Sequence, residues 1–178
     1  MTINLITIAT VKAQLGITAS TYDSALTALI PIVSADIRRI LNTDFDDYEG
    51  GTFTAASTIC TLECDTKLGT VIDSPYVAAD TYVSSYDPIS DKYTLSAAAS
   101  TSGYYYYPTI NISQWPTISK MIWYKYKAQN TSSANVKGIS SHSVGPVSIS
   151  YSESEINSKW NYPQKLIDDL GTPFAHAR

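Results

Sequence analysis

Cysteine, histidine and methionine each occur only twice in these 178 residues, so the side chains that carry most metal, thiol and redox chemistry are scarce. A structural zinc site draws on closely spaced Cys and His pairs. Here Cys60 and Cys64 form a C-x3-C pair, and His142 and His176 lie far downstream, a spacing that matches no such site. If the two cysteines share a strand, their offset separates them by about 13 Å, too far for a disulfide, so half-buried free thiols are expected.

Charge is scarce too, at 16% of residues with a net charge of −4. A general nucleic-acid binder needs a basic face to neutralise phosphates, and this composition excludes one. A mildly acidic surface would let a duplex slide past without adhering. Long apolar runs are missing, with nothing near the ~18 residues of a membrane-spanning helix. The opening MTINLITIATVKAQLG lacks a basic leader with an unbroken apolar stretch, so a soluble, cytoplasmic origin is expected.

Catalytic patterns are absent in the same way. There is no G-x-S-x-G elbow, phosphate loop or dinucleotide fingerprint. His142 sits among Ser140, Ser141 and Ser143 without an orienting acid, and reads as a polar residue on the outer face of a hairpin. The acidic group Asp44, Asp46, Asp47 and Glu49 lacks the glycine and terminal glutamate of a calcium loop and reads as a solvated linker. The expectation is a protein with no catalytic residue, no cofactor and no metal.

What the chain has is periodicity. From Thr21 to Asn42, Leu26, Leu29, Ile30, Val33, Ile37, Ile40 and Leu41 mark one face of a long helix. Ser20 or Thr21 would cap it, Arg38 and Arg39 suit its C-terminal dipole, and Pro31 predicts a kink rather than a break. Thr10 before VKAQLGI predicts a short helix closed by Gly16, and Ile3, Leu5 and Ile8 an anchoring segment before it. A third helix is predicted from Trp115-Pro116 to Asn130, with Ile118, Met121, Ile122, Tyr126 and Gln129 on one face. A short helix, Gln164 to Leu170, follows Tyr162-Pro163 and stops at Gly171.

Between the second and third helices the period changes. TDFDDYEGG reads as a boundary, and short β-branched and aromatic runs follow: TFT, STICTLE, TVI, TYVSSY, KYTLS and YYYYP. Turn formers separate them, and Asp87 to Asp91 suits a hairpin loop. Another hairpin is expected in GISSHSVGPVSISYS, where Val147, Ile149 and Tyr151 alternate with serine and Gly145-Pro146 makes the reversal. In a strand, Tyr104, Tyr105, Tyr106 and Tyr107 would alternate between core and a protein-contact face. Stacking on bases or sugars is the alternative, weakened by the lack of Lys or Arg between Lys92 and Lys120.

The fold class is therefore α+β: a small helical bundle with a β-hairpin, formed by residues 1–45 and 111–178, carrying an inserted antiparallel β module over 46–110. This order of elements, and the residues filling it, resembles the head–tail connector (head-completion adaptor) family of tailed bacteriophages. The residues that carry the resemblance open with Leu5-Ile6-Thr7, Val11 to Ile17, Asp23, Leu26, Leu29, Ile30 and Ile40-Leu41-Asn42 before Phe45. Near the end they are Ile139 to Ser141, Ser143 to Gly145, Val147 to Tyr151, Tyr162-Pro163, Leu166 and Leu170. The inserted module departs from shorter members of the family, which have only a loop there.

The resemblance implies a ring of subunits, usually twelve, docked beneath the portal protein and extending the channel through which duplex DNA passes without sequence-specific binding. It also implies a platform for the downstream neck or tail-completion protein, assembly in the host cytoplasm and a final place in the virion neck. The C-terminal segment would grip the portal, through Thr172, Pro173, Phe174, His176 and Arg178, with Phe174 as apolar anchor. The hairpin around His142, Val144, Gly145, Pro146 and Val147 would face a neighbouring subunit or the channel, or close its own core. Rival readings are another phage part (tail-completion or capsid-decorating) and a carbohydrate-binding module using the tyrosine-rich insertion.

Overall fold

The computed structural model describes residues 4–42, 49–62, 66–72, 74–107, 110–130, 141–144, 147–150, 156–157 and 159–171. The fold is α+β, with four α-helices and antiparallel sheets among the described residues. The chain divides into two compact units, residues 1–43 with 114–178 and residues 44–113.

The first unit is helical. Helix α1 (Ile8–Leu15) ends as expected on Gly16, which takes the left-handed conformation with φ 65°. Its start differs from the expectation: Thr7, not Thr10, is the cap, and its hydroxyl accepts from the Thr10 amide. The threonine one turn earlier reaches an orphan amide that Thr10, inside the helix, cannot. Helix α2 (Asp23–Leu41) runs unbroken with Pro31 inside it and closes on Asn42 in the left-handed conformation. Neither Ser20 nor Thr21 caps it through a side chain. Tyr22 is the cap residue, and the Asp23 amide donates to the Ser20 carbonyl.

All seven apolar positions of the α2 stripe are buried, and Ser34 is buried with them. That serine has a structural role, since its hydroxyl accepts a 3.1 Å hydrogen bond from the Leu5 amide. Leu5 and Ile6 are themselves buried, so the anchoring segment is fastened to α2 by both packing and a buried polar bond. Lys12 of α1 pairs with Asp23 of α2 at 2.7 Å. Helix α3 (Trp115–Asn130), entered through a 3-10 turn at Ile112–Gln114, packs against α1, α2 and α4 (Gln164–Asp168). The first and last parts of the chain thus close one core.

The buried surface of α3 is broader than one stripe, taking in Trp115, Thr117, Ser119, Trp123 and Tyr124 besides Ile118, Met121 and Ile122. Gln129, expected on that face, is exposed. The last helix starts at Gln164 as expected, with Pro163 as its cap residue, but ends at Asp168, short of the expected Leu170. Tyr162-Pro163 also forms a short strand, β11, paired with β10 (Ile156–Asn157). The serine-rich hairpin comprises β8 (Ser141–Val144) and β9 (Val147–Ser150), pairing His142 with Ile149 and Val144 with Val147.

The second unit is built on a five-stranded antiparallel sheet in the order β4-β5-β2-β1-β6. Its strands are β1 (Glu49–Phe53), β2 (Ile59–Leu62), β4 (Val83–Asp87), β5 (Lys92–Leu95) and β6 (Gly103–Tyr107). Two short strands, β3 (Thr70–Val71) and β7 (Ile110–Asn111), pair separately. Phe53, Cys60, Leu62, Val83, Tyr93 and Leu95 point to one face and join Ile72, Val77 and Ala99 in a core of their own. Gly50 and Gly51, expected as a boundary, lie buried inside β1 opposite Tyr106 and Tyr105. Glu49, expected in a linker, opens that strand opposite Tyr107. Side-chain-free positions let the tyrosine-rich strand lie close alongside.

Candidate functional site

Three parts of the helical unit converge on one groove of about 620 Å³. Asp36 and Arg39, one turn apart near the end of α2, supply one wall; Tyr124 and Lys125 of α3 supply another. Ile156 of β10 and the turn Lys159-Trp160-Asn161 complete it. The turn is fixed by Asn157, whose carboxamide oxygen accepts from the amides of Lys159 and Trp160, while Asn161 takes a left-handed φ of 56°.

The floor is a locked polar cluster. The buried Tyr162 hydroxyl donates to the Asp36 carboxylate at 2.8 Å, and the Lys125 ammonium pairs with the same oxygen. Lys125 also lies 3.3 Å from the Tyr162 hydroxyl and 5.4 Å above its ring. Burial first, then the bond to Asp36 and that carboxylate's charge, push the Tyr162 phenol far above its ordinary value. It stays a neutral donor. The cluster ties α2, α3 and β11 together.

The rim is different. The Arg39 side chain is 70% exposed, and its 3.7 Å approach to Asp36 is a weak tether. Exposed Lys159 rests over the Trp160 ring at 4.7 Å. Among the described residues that line the groove, three cations (Arg39, Lys125, Lys159) meet one carboxylate (Asp36), so this lining is cationic in a chain whose total charge is −4. Together with Trp160, Tyr124 and Ile156, this is an aromatic, apolar cleft with a positive edge, suited to binding by contact.

A second feature stands out in the β unit, at the tip of the β4–β5 hairpin. Asp87 pairs with Lys92, so the connection is four residues, Pro88 to Asp91, one fewer than expected. Its conformation is fixed from within. The Asp87 carboxylate accepts from the Ile89 amide at 3.0 Å and the Ser90 hydroxyl at 2.7 Å. Those bonds, the Ser90 hydroxyl first, hold its carboxyl below the usual value. Tyr86 donates from its hydroxyl to Asp91 at 2.9 Å, and Asp91 takes a φ of 53°. At the apex Ile89 is 96% exposed.

The residues singled out from the sequence fare unevenly. Thr172, Pro173, Phe174, His176 and Arg178 lie outside the described residues, as do Gly145, Pro146 and Cys64. His142, Val144 and Val147 lie in the β8–β9 ribbon, where the register sets His142 in line with Ile149 rather than with a serine. Tyr104 to Tyr107 form β6, which stands at the end of the sheet order; Tyr104 is 42% exposed. Cys60 is a buried free thiol whose value burial raises to about 11. Among the described residues, no group of three or more His, Cys, Asp or Glu is placed to hold a metal ion, and no helix is long and apolar enough to cross a membrane.

Neither the groove nor the tip was singled out as a site by sequence reading. Arg39 was legible only as a dipole partner, and Ile89 only as part of a loop. The available signals were small: an Asp and an Arg at i,i+3, and a lone isoleucine inside a turn-forming string. No protein-family model and no curated protein matches this chain.

Proposed function

We propose that this protein is a structural head-to-tail adaptor of a tailed bacteriophage. It works by contact, as a ring beneath the portal that extends the DNA channel and receives the next neck or tail component. The observation that carries the reading is the arrangement of the chain. Its two ends build one helical unit from a short helix, a long helix, a third helix and a short terminal helix, and residues 44–113 form a separate β unit between them. That is the order on which the resemblance to the connector family rests. The groove and the braced tip add two binding surfaces, which suits an assembly role.

In this reading residues 172–178 grip the portal and the β8–β9 ribbon faces a neighbouring subunit or the channel. The test is docking onto purified portal rings of the same phage, read by electron microscopy. The intact protein should form a ring on the portal, and deletion of Thr172–Arg178 should abolish docking while leaving helical circular dichroism unchanged. Failure of the intact chain to bind would remove the adaptor reading; docking by the truncated chain would remove only the tail.

A second reading rests on Tyr104, exposed on the sheet beside Thr52. An aromatic ring on a hydroxyl-rich strand face suits a sugar, and glycan binding by the isolated monomer, lost in Tyr104→Ala, would favour a carbohydrate-binding module instead.

A further inference from the structure

We infer that the hairpin tip of one copy docks in the groove of a second copy, with Ile89 as the anchor. The two features are complementary in shape, polarity and charge. The tip is a small apolar knob flanked by two carboxylates, Asp87 and Asp91; the nearby Lys92 ammonium is turned away to the Thr61 hydroxyl at 2.6 Å. The groove offers an aromatic wall at Trp160 and Tyr124, and a cationic edge at Arg39 and Lys159. A volume of about 620 Å³ admits several residues of a loop, not a single side chain alone.

Leaving an isoleucine 96% exposed on a mobile loop would be unremarkable surface chemistry. Here the loop is held by three hydrogen bonds to carboxylates, from the Ile89 amide and the Ser90 and Tyr86 hydroxyls, so little ordering entropy remains to be lost when it binds. A preorganised apolar anchor inside a polar, charged rim is the pattern of an interface hot spot. The carboxylates and cations set the approach, and the isoleucine supplies the affinity.

The contact joins two different patches, the tip of the β unit and the groove of the helical unit. It is heterologous, so in a pair one copy keeps a free groove and the other a free tip, and repetition gives a closed ring or an open chain. The inference goes beyond the adaptor reading and does not depend on a portal.

The experiment uses the full chain with p-benzoylphenylalanine in place of Ile89, mixed with isotope-labelled wild-type chain and irradiated without portal. Mass spectrometry should find adducts between the tip of one copy and the groove peptides spanning Tyr124–Gln129 or Ile156–Asn161 of the other. Arg39→Glu or Lys159→Glu should lower adduct yield about two- to fivefold, and Asp91→Lys in the partner should recover part of it. In sedimentation, Ile89→Asp should weaken self-association about tenfold or more. Adducts within one chain only, adducts to another surface, or no interchain adduct would each overturn the inference. Because portal is absent, such a failure leaves docking onto portal to be judged by its own experiment.

Discussion

Asp36 is half-buried, with two donors aimed at one of its oxygens, and neither donor has an equivalent acceptor nearby in the cluster. Asp36→Ala would strand the Lys125 ammonium and leave the Tyr162 hydroxyl without its acceptor. The expected loss is about 2–3 kcal/mol in denaturant unfolding, less than for a fully buried pair because Lys125 keeps some access to water. Asp36→Asn, which keeps an acceptor but not the charge, should cost less. In the other unit, Cys60 makes a pH prediction. Burial raises its value from 9.0 to about 11, so the folded state holds the proton more tightly than the unfolded state. Its contribution to stability is complete below about pH 9 and is lost as pH rises towards about 11. Unfolding titrations of wild type and Cys60→Ala should therefore diverge least at the top of that window. A thiol reagent at neutral pH should label Cys60 only as the β unit opens.

At the scale of elements, α2 carries its own penalty. Pro31 is exposed in the helix interior, where it removes one hydrogen bond and crowds the preceding turn. Pro31→Ala should raise stability by about 1–3 kcal/mol, seen as a higher thermal midpoint. A drop would mean that the packing of α2 depends on a bend only proline supplies. Gly103 in β6 makes the opposite case, since an added Cβ would sit 2.5 Å from the Tyr76 ring, which packs on Phe53. Gly103→Ala should cost about 1–3 kcal/mol in unfolding of the β unit.

These elements also show what a sequence displays and what it hides. The α2 stripe, the Gly16 stop and the β4–β5 hairpin were legible because period, left-handed glycine and turn chemistry are local. Ser34 was not, since a serine on an apolar stripe looks like an interruption until Leu5 is seen to donate to it. The β1–β6 pairing was hidden as well, joining strands some fifty positions apart in sequence. The glycines that permit it resemble a linker. The groove was the least legible feature, because Asp36, Lys125 and Tyr162 acquire their meaning only from one another.

For the whole molecule, the two-unit division predicts that the β unit is dispensable for the helical fold. A chain with residues 44–113 replaced by a short flexible linker should keep the helical circular dichroism of α1 to α4 and a cooperative thermal transition. Collapse of both signals would mean that the helical core needs the insertion. The sequence boundaries at 45/46 and 110/111 differ from the structural ones at 43/44 and 113/114 by two or three residues. The acidic, turn-rich composition near the first boundary and the Trp-Pro helix start near the second account for that closeness.

One consequence concerns birth rather than function. Because α3 is encoded after residues 44–113, the greasy side of α1 and α2 leaves the ribosome before its largest partner has been made. At about 5–20 residues per second, that vulnerability lasts on the order of several seconds. The β unit, with all its strand partners in one continuous stretch, can close meanwhile. The nascent polypeptide thus carries a finished middle before its two ends meet, and an apolar helix pair that a chaperone has time to hold.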